Sequence, residues 1–226
     1  MITTSETLRE IKSKFDDVLL KKGFEINSIG YYVYKTKDAT YTFFVGIGPN
    51  YYPVSFDLVA GLSISIHYVD DIFNKLMYQF DENFIAKRNT CGTKLLYFKS
   101  KLNLHYEITA HSNIGDVLDE VEALLNDNGF EFFNRFTDIR EIDESVNVKR
   151  GFYDEVGSII GGDLVEKAIL ALILAKLCRP EAVEALAVQY RDTLYNDAFY
   201  LSRYDPAVEY LLKTDIGSYR HIQPPF

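Results

Sequence analysis

Val54-Ser55-Phe56-Asp57-Leu58-Val59-Ala60-Gly61-Leu62-Ser63-Ile64-Ser65-Ile66-His67 alternates in polarity along most of its length. Phe56, Leu58, Ala60, Leu62, Ile64 and Ile66 point one way, while Ser55, Asp57, Ser63, Ser65 and His67 point the other, because successive side chains of an extended chain leave opposite faces. The stretch therefore predicts a strand with one face on a core and the other polar.

Upstream, residues 31–37 and 39–47 are β-branched and aromatic runs joined through Lys37-Asp38, the pattern of a tight hairpin. Before them, Leu8, Ile11, Phe15, Val18 and Leu19 recur at helical spacing over residues 5–22. Gly23 then supplies a left-handed helix end and Phe24 the apolar contact that often follows it.

Downstream, a short helix is expected over residues 70–78, and residues 94–100 and 102–111 read as two further strands. From Asn113 the period changes from two to about 3.6. Val117, Leu118, Val121, Leu124 and Leu125 form an amphipathic helix that the spacing ends at Asn128-Gly129. Further helices are expected over residues 138–145 and 163–178, with two more starting at Pro180 and at Asp205-Pro206. Strands gathered early and helices gathered late predict an α+β fold, with an antiparallel sheet of about five strands packed against helices and an all-α C-terminal region. The expected division is an α+β domain over residues 1–150 and a helical extension over residues 151–226 packed on it.

The chain has 226 residues, with 24 basic against 33 acidic side chains and a net charge of −9. That balance repels phosphate backbones, so nucleic acid is excluded as the expected partner. Cys91 and Cys178 lie far apart, with neither zinc-knuckle nor dithiol spacing, and two thiols in such a chain fit a reducing compartment. Residues 1–6 lack the basic and apolar regions of a secretory signal. The apolar run at residues 168–175 is far shorter than the ~20 residues of a membrane span. A cytoplasmic location and no membrane association are expected.

Two segments, Leu19-Leu20-Lys21-Lys22-Gly23-Phe24 and Phe132-Phe133-Asn134-Arg135-Phe136-Thr137, give the first two thirds of the chain a pattern. It resembles a family of bacterial proteins known only as a domain of unknown function, number 4304. The resemblance implies a fold and a bacterial type of protein. It implies no activity and carries no catalytic residues across.

Among candidate sites, 17 Tyr and 16 Phe with no Trp are the most unusual feature. Tyr31, Tyr32, Tyr34, Tyr51 and Tyr52 concentrate amphipathic aromatic surface in and after the hairpin, and such rings bury large area at small entropy cost. They are the candidate binding residues, weighed against ordinary service as core and strand formers. His105, Glu107 and His111 share one predicted strand face, with His67 at the end of another strand. Neighbours on a face stand ~7 Å apart, too far to share a metal without a bulge or a further strand. A solvated sheet face is the plainer account of them, and no metal or cofactor is assigned. The glycine-rich run at residues 157–162 lacks the endings of phosphate and dinucleotide loops, so a connector capped by Asp163 is expected.

The leading expectation is a non-catalytic binding or interaction protein, with an immunity-type protein that neutralises a basic enzyme as a specific variant. The alternative is a hydrolase or metal-assisted enzyme built on His67, His105, Glu107 and His111. A third reading is a homodimer formed through residues 168–175.

Overall fold

The computed structural model describes residues 4–48, 55–80, 89–99, 105–109, 111–149, 159–194 and 197–226. Among these residues six strands, β1 (Glu25–Ile26), β2 (Tyr32–Lys35), β3 (Ala39–Ile47), β4 (Ser55–Ile66), β5 (Cys91–Lys94) and β6 (Tyr106–Thr109), form one sheet. The order is β1-β2-β3-β4-β5, and β6 also pairs with β4. The β1–β2, β2–β3 and β4–β6 pairs are antiparallel. Among the described residues eight α-helices accompany them: α1 (Thr4–Lys21), α2 (His67–Phe80), α3 (Ile114–Leu124), α4 (Phe130–Phe136), α5 (Ile139–Glu144), α6 (Leu164–Cys178), α7 (Val183–Thr193) and α8 (Ala198–Lys213). The fold is α+β, with helices making up the C-terminal part. The chain forms two compact units, Met1–Ser63 with Thr93–Asn134 and Phe226, and Ile64–Gly92 with Arg135–Pro225.

In the first unit, Ile11, Phe15 and Leu19 of α1, Tyr41 and Phe43 of β3, and Leu118 and Val121 of α3 are all buried. Leu8 continues the stripe in sequence but lies exposed. The hairpin turns where Lys37-Asp38 predicts it, closed by Thr36, whose N–H donates to Ala39 O at 2.8 Å and whose hydroxyl accepts from Ala39 N at 3.0 Å. Gly23 ends α1 at φ +88°, and Phe24 N–H returns to Leu19 O at 3.0 Å. On β4 the core-facing set is buried as the alternation predicts, but Gly61 and Ser63 on the other face are buried as well, and His67 opens α2 instead of closing the strand.

Two expectations in this unit are corrected. The strand expected over residues 94–100 does not form over Leu95–Phe98, which is a 3-10 turn after β5 ends at Lys94, and Ser100 lies outside the described residues. Leu95 and Leu96 are both buried in that turn. Nor does the helix end at Gly129. Leu125–Gly129 is a π-helical turn that carries α3 on into α4. A Cβ on Gly129 would stand 2.7 Å from Leu125 Cδ1, so glycine serves here for close packing and not as a left-handed stop.

In the second unit, α6 is apolar around its circumference, with Ala168 through Ala175 all buried, and α2, α5, α7 and α8 pack on it. Asp163 caps it, accepting from Glu166 N at 2.9 Å. Lys176 donates to the carbonyls of Leu211 and Thr214, satisfying acceptors that the end of α8 leaves open. No helix among the described residues is long and apolar enough to cross a membrane. The start expected at Asp205-Pro206 is also corrected. Asp197 caps α8, accepting from Phe199 N at 2.8 Å, and Pro206 lies inside the helix. Asp205 instead holds Arg191 of α7 through two bonds of 2.9 and 3.1 Å.

Candidate functional site

The pleat of the β2–β3 hairpin sorts the tyrosines by face. Tyr32 stands opposite Phe43 and Tyr34 opposite Tyr41, with Phe43 and Tyr41 fully buried on the core side. Tyr32 is itself buried and donates its hydroxyl to Asp16 Oδ1 at 2.8 Å; burial first, then that carboxylate, push its phenol pKa up. Tyr34 is half-buried against Phe24 and Tyr41, at 5.7 and 6.1 Å between ring centres. Tyr31 is 38% exposed and packs at 5.4 Å on Phe44. Tyr51 and Tyr52 lie outside the described residues.

Phe44 is half-buried, and its ring lies over Gly61, the β4 position where the core-and-polar alternation leaves no side chain. Asp57 shares that outer face of β4, four residues along, and stands opposite Glu107 of β6. His105 Nε2 lies 3.6 Å from Asp57 Oδ1, an ion pair when the imidazole is protonated. Two carboxylates facing one another repel, so a cation beside them is favourable. The outer face thus carries an aromatic pair, Tyr31 on Phe44, and an acidic pair with a histidine at its side.

His111 is exposed, just beyond β6, and donates its N–H to Thr109 Oγ1 at 3.3 Å. His67 belongs to the other unit, half-buried at the start of α2. Among the described residues no group of three or more His, Cys, Asp and Glu could hold a metal ion.

Neither thiol is poised as a nucleophile. Burial pushes the Cys91 thiol well up from its ordinary range, with Asp70 adding to it, and burial pushes Cys178 up to about 12. Thiolate is therefore scarce at neutral pH.

The buried polar groups of the second unit hold structure together. Asp70, in the first turn of α2, accepts from Ser65 Oγ at 2.5 Å and Thr90 Oγ1 at 2.6 Å, and Thr90 Oγ1 in turn accepts from Ile66 N at 2.8 Å. Asp143 of α5 takes Arg179 Nε at 2.6 Å and its second nitrogen at 3.2 Å, along with the Asn147 amide at 2.6 Å. Asn147 also donates to Ala171 O of α6 at 3.0 Å and accepts from the Tyr190 hydroxyl of α7. Asn147 sits in a π-helical turn, Ser145–Lys149. Such turns often mark functional positions, but here the amide joins three helices and every bond it makes is internal. At the start of α6, the Asp163 carboxylate already occupies the Glu166 amide that an anion would use, and Gly157 and Ser158 lie outside the described residues.

One feature the sequence reading missed is a convergence of rings in the first unit. Phe226 lies 5.5 Å from Phe24 and nearly parallel to it, 5.1 Å from Tyr34 and from Phe130, 5.9 Å from Phe133 and 6.1 Å from Tyr41. Phe130 and Phe133 at helical spacing were the legible half of that signal. Pairing them with a residue over ninety positions away was not.

No family model, no curated protein and no solved structure matches the chain.

Proposed function

We propose that this chain is a non-catalytic interaction protein whose contact surface is the outer face of the first unit's sheet. The observation that supports it best is Tyr31, an exposed ring fixed in place by Phe44, which is itself seated on Gly61. A pre-positioned aromatic loses little freedom on binding, which is how Tyr anchors contribute to interfaces. Asp57 and Glu107 on the same face, with a net charge of −9, favour a partner with a basic surface. An immunity-type protein that blocks a basic enzyme is the specific form of this reading. Membership of the family of unknown function number 4304 is compatible with it and adds no activity.

The metal-assisted hydrolase has less support. Its histidines are divided between two units, and the one close contact, His105 with Asp57, leaves both groups partly exposed.

The test places a photo-crosslinking amino acid at Tyr31 and, as a control, at the exposed Val188 of α7. Cross-links formed from residue 31 and not from 188, to a basic protein whose purified form binds less tightly as salt rises, are the expected result. Equal labelling from both positions would remove the outer face as the contact surface.

A further inference from the structure

We propose that the aromatic cage of the first unit is a second binding site, one that recognises an aromatic side chain on a proline-preceded segment of a partner protein. Phe226 is its resident, displaceable occupant. The inference uses different residues from the outer sheet face and does not depend on that reading.

The way Phe226 is held resembles recognition of a ligand more than the packing of a core residue. It belongs to no helix or strand, and Pro224 and Pro225 precede it. Proline fixes its own φ and pushes the residue before it away from helical geometry, so Gln223 and Pro224 are held extended at little entropic cost. The ring enters a cage of five others, while its N–H donates to the Asn134 side-chain oxygen at 3.0 Å. A side-chain pocket combined with a side chain that reads the backbone is the usual division of labour in binding an extended peptide.

The cage walls also rest on one another, Phe24 and Tyr41 at 6.3 and 5.6 Å from Phe133 and Tyr34 at 6.1 Å from Tyr41. Phe24 follows the α1 end at Gly23, Phe133 is fully buried on α4, and Tyr41 is fully buried on β3. Tyr34 is set by Gly23, where a Cβ would approach Tyr34 Cε2 to 3.2 Å. Phe226 itself is only half-buried, so the cage is open on one side. The resident segment also defines the chemistry that fits: an aromatic ring after proline, with a free backbone N–H for Asn134.

The experiment uses the full chain carrying Phe226→Ala, which empties the cage, and Phe226→Leu, which half fills it. The probe is a fluorescent synthetic peptide, Tyr-Arg-His-Ile-Gln-Pro-Pro-Phe, matching residues 219–226. Saturable binding to Phe226→Ala at least tenfold tighter than to the unaltered chain is expected, with Phe226→Leu intermediate. Adding Asn134→Ala to Phe226→Ala weakens it, and a peptide ending in Ala does not bind. A folded Phe226→Ala chain that ignores the peptide would overturn the proposal, and so would equal binding to the unaltered chain. If neither variant folds, the ring is core and the proposal fails. A dimeric unaltered chain that Phe226→Ala turns into a monomer would give the cage to a second copy and overturn its assignment to a foreign partner.

Discussion

The Phe44 ring lies directly over the backbone of Gly61: a Cβ at residue 61 would stand 2.5 Å from Phe44 Cζ and 3.1 Å from Thr93 O. Alanine there must displace the ring, and the backbone oxygen behind it gives way less easily than a side chain. Gly61→Ala should therefore lower unfolding stability by ~1–3 kcal/mol in urea titration, the range for forcing volume into a packed site. Phe44→Ala added to Gly61→Ala should recover part of the loss, since the two changes share one contact. Full additivity of the two losses would show that the ring does not rest on Gly61. Because Phe44 also supports Tyr31, Gly61→Ala should weaken partner binding as well.

Asp143 gathers Arg179, Asn147 and, through Asn147, Tyr190, and its own side chain is 3% exposed. Removing one partner of a buried ion pair leaves the other charge poorly solvated. Arg179 is partly open to water, which moderates that penalty. Asp143→Ala should cost ~2–4 kcal/mol, and Tyr190→Phe, which removes one neutral donor, ~1 kcal/mol. Thermal denaturation of the two single variants and the double variant checks this. Losses that add without coupling would show that the four side chains do not act as one network.

Pro206 lies in the interior of α8, where it cannot donate to Ser202 O and its ring crowds the preceding turn. Pro206→Ala should stabilise the chain by ~1–3 kcal/mol, less the entropy that proline removes from the unfolded state. An unchanged or lowered melting temperature would mean that the proline ring at 206 is needed for packing.

The same proline shows where sequence reasoning stops. Asp205-Pro206 has the chemistry of a helix start, but so does Asp197, and it is Asp197 that caps α8 while Asp205 turns to Arg191 of a different helix. Gly129 carries a stop signal that a neighbouring Leu125 side chain turns into a packing notch. Several local signals agree with the structure: the hairpin at Lys37-Asp38, the left-handed Gly23, the Asp163 cap, which Arg203 of α8 also holds, and the core-facing side of β4. The fold class followed from those. Of the candidate site, the aromatic concentration was legible, but its division into an outward Tyr31 and inward Tyr32 and Tyr34 required the strand register. The Phe226 cage depends on a long-range contact with no periodic trace.

Proton binding should limit stability at both ends of the pH scale. Burial pushes the Cys178 thiol from 9.0 up to about 12 and the Tyr68 phenol from 10.0 up to about 12. The folded chain thus holds those protons more tightly than the unfolded chain, so their contribution is complete below pH ~9 and is lost as pH rises toward 12. At the acid end, burial works against the Glu120 carboxylate, but hydrogen bonds from Lys99 at 2.6 Å and Tyr106 at 2.9 Å hold its pKa below the ordinary 4.5. Its contribution is present above that value and is lost as pH falls through the lowered one. A melting temperature that is flat between about pH 5 and 9 and falls on both sides is the expected profile. Cys178→Ala should make the alkaline fall shallower, and Glu120→Gln should do the same to the acid fall. A melting temperature that rises above pH 9, or an alkaline limb unchanged by Cys178→Ala, would show that these protons are not held as the burial of the groups requires.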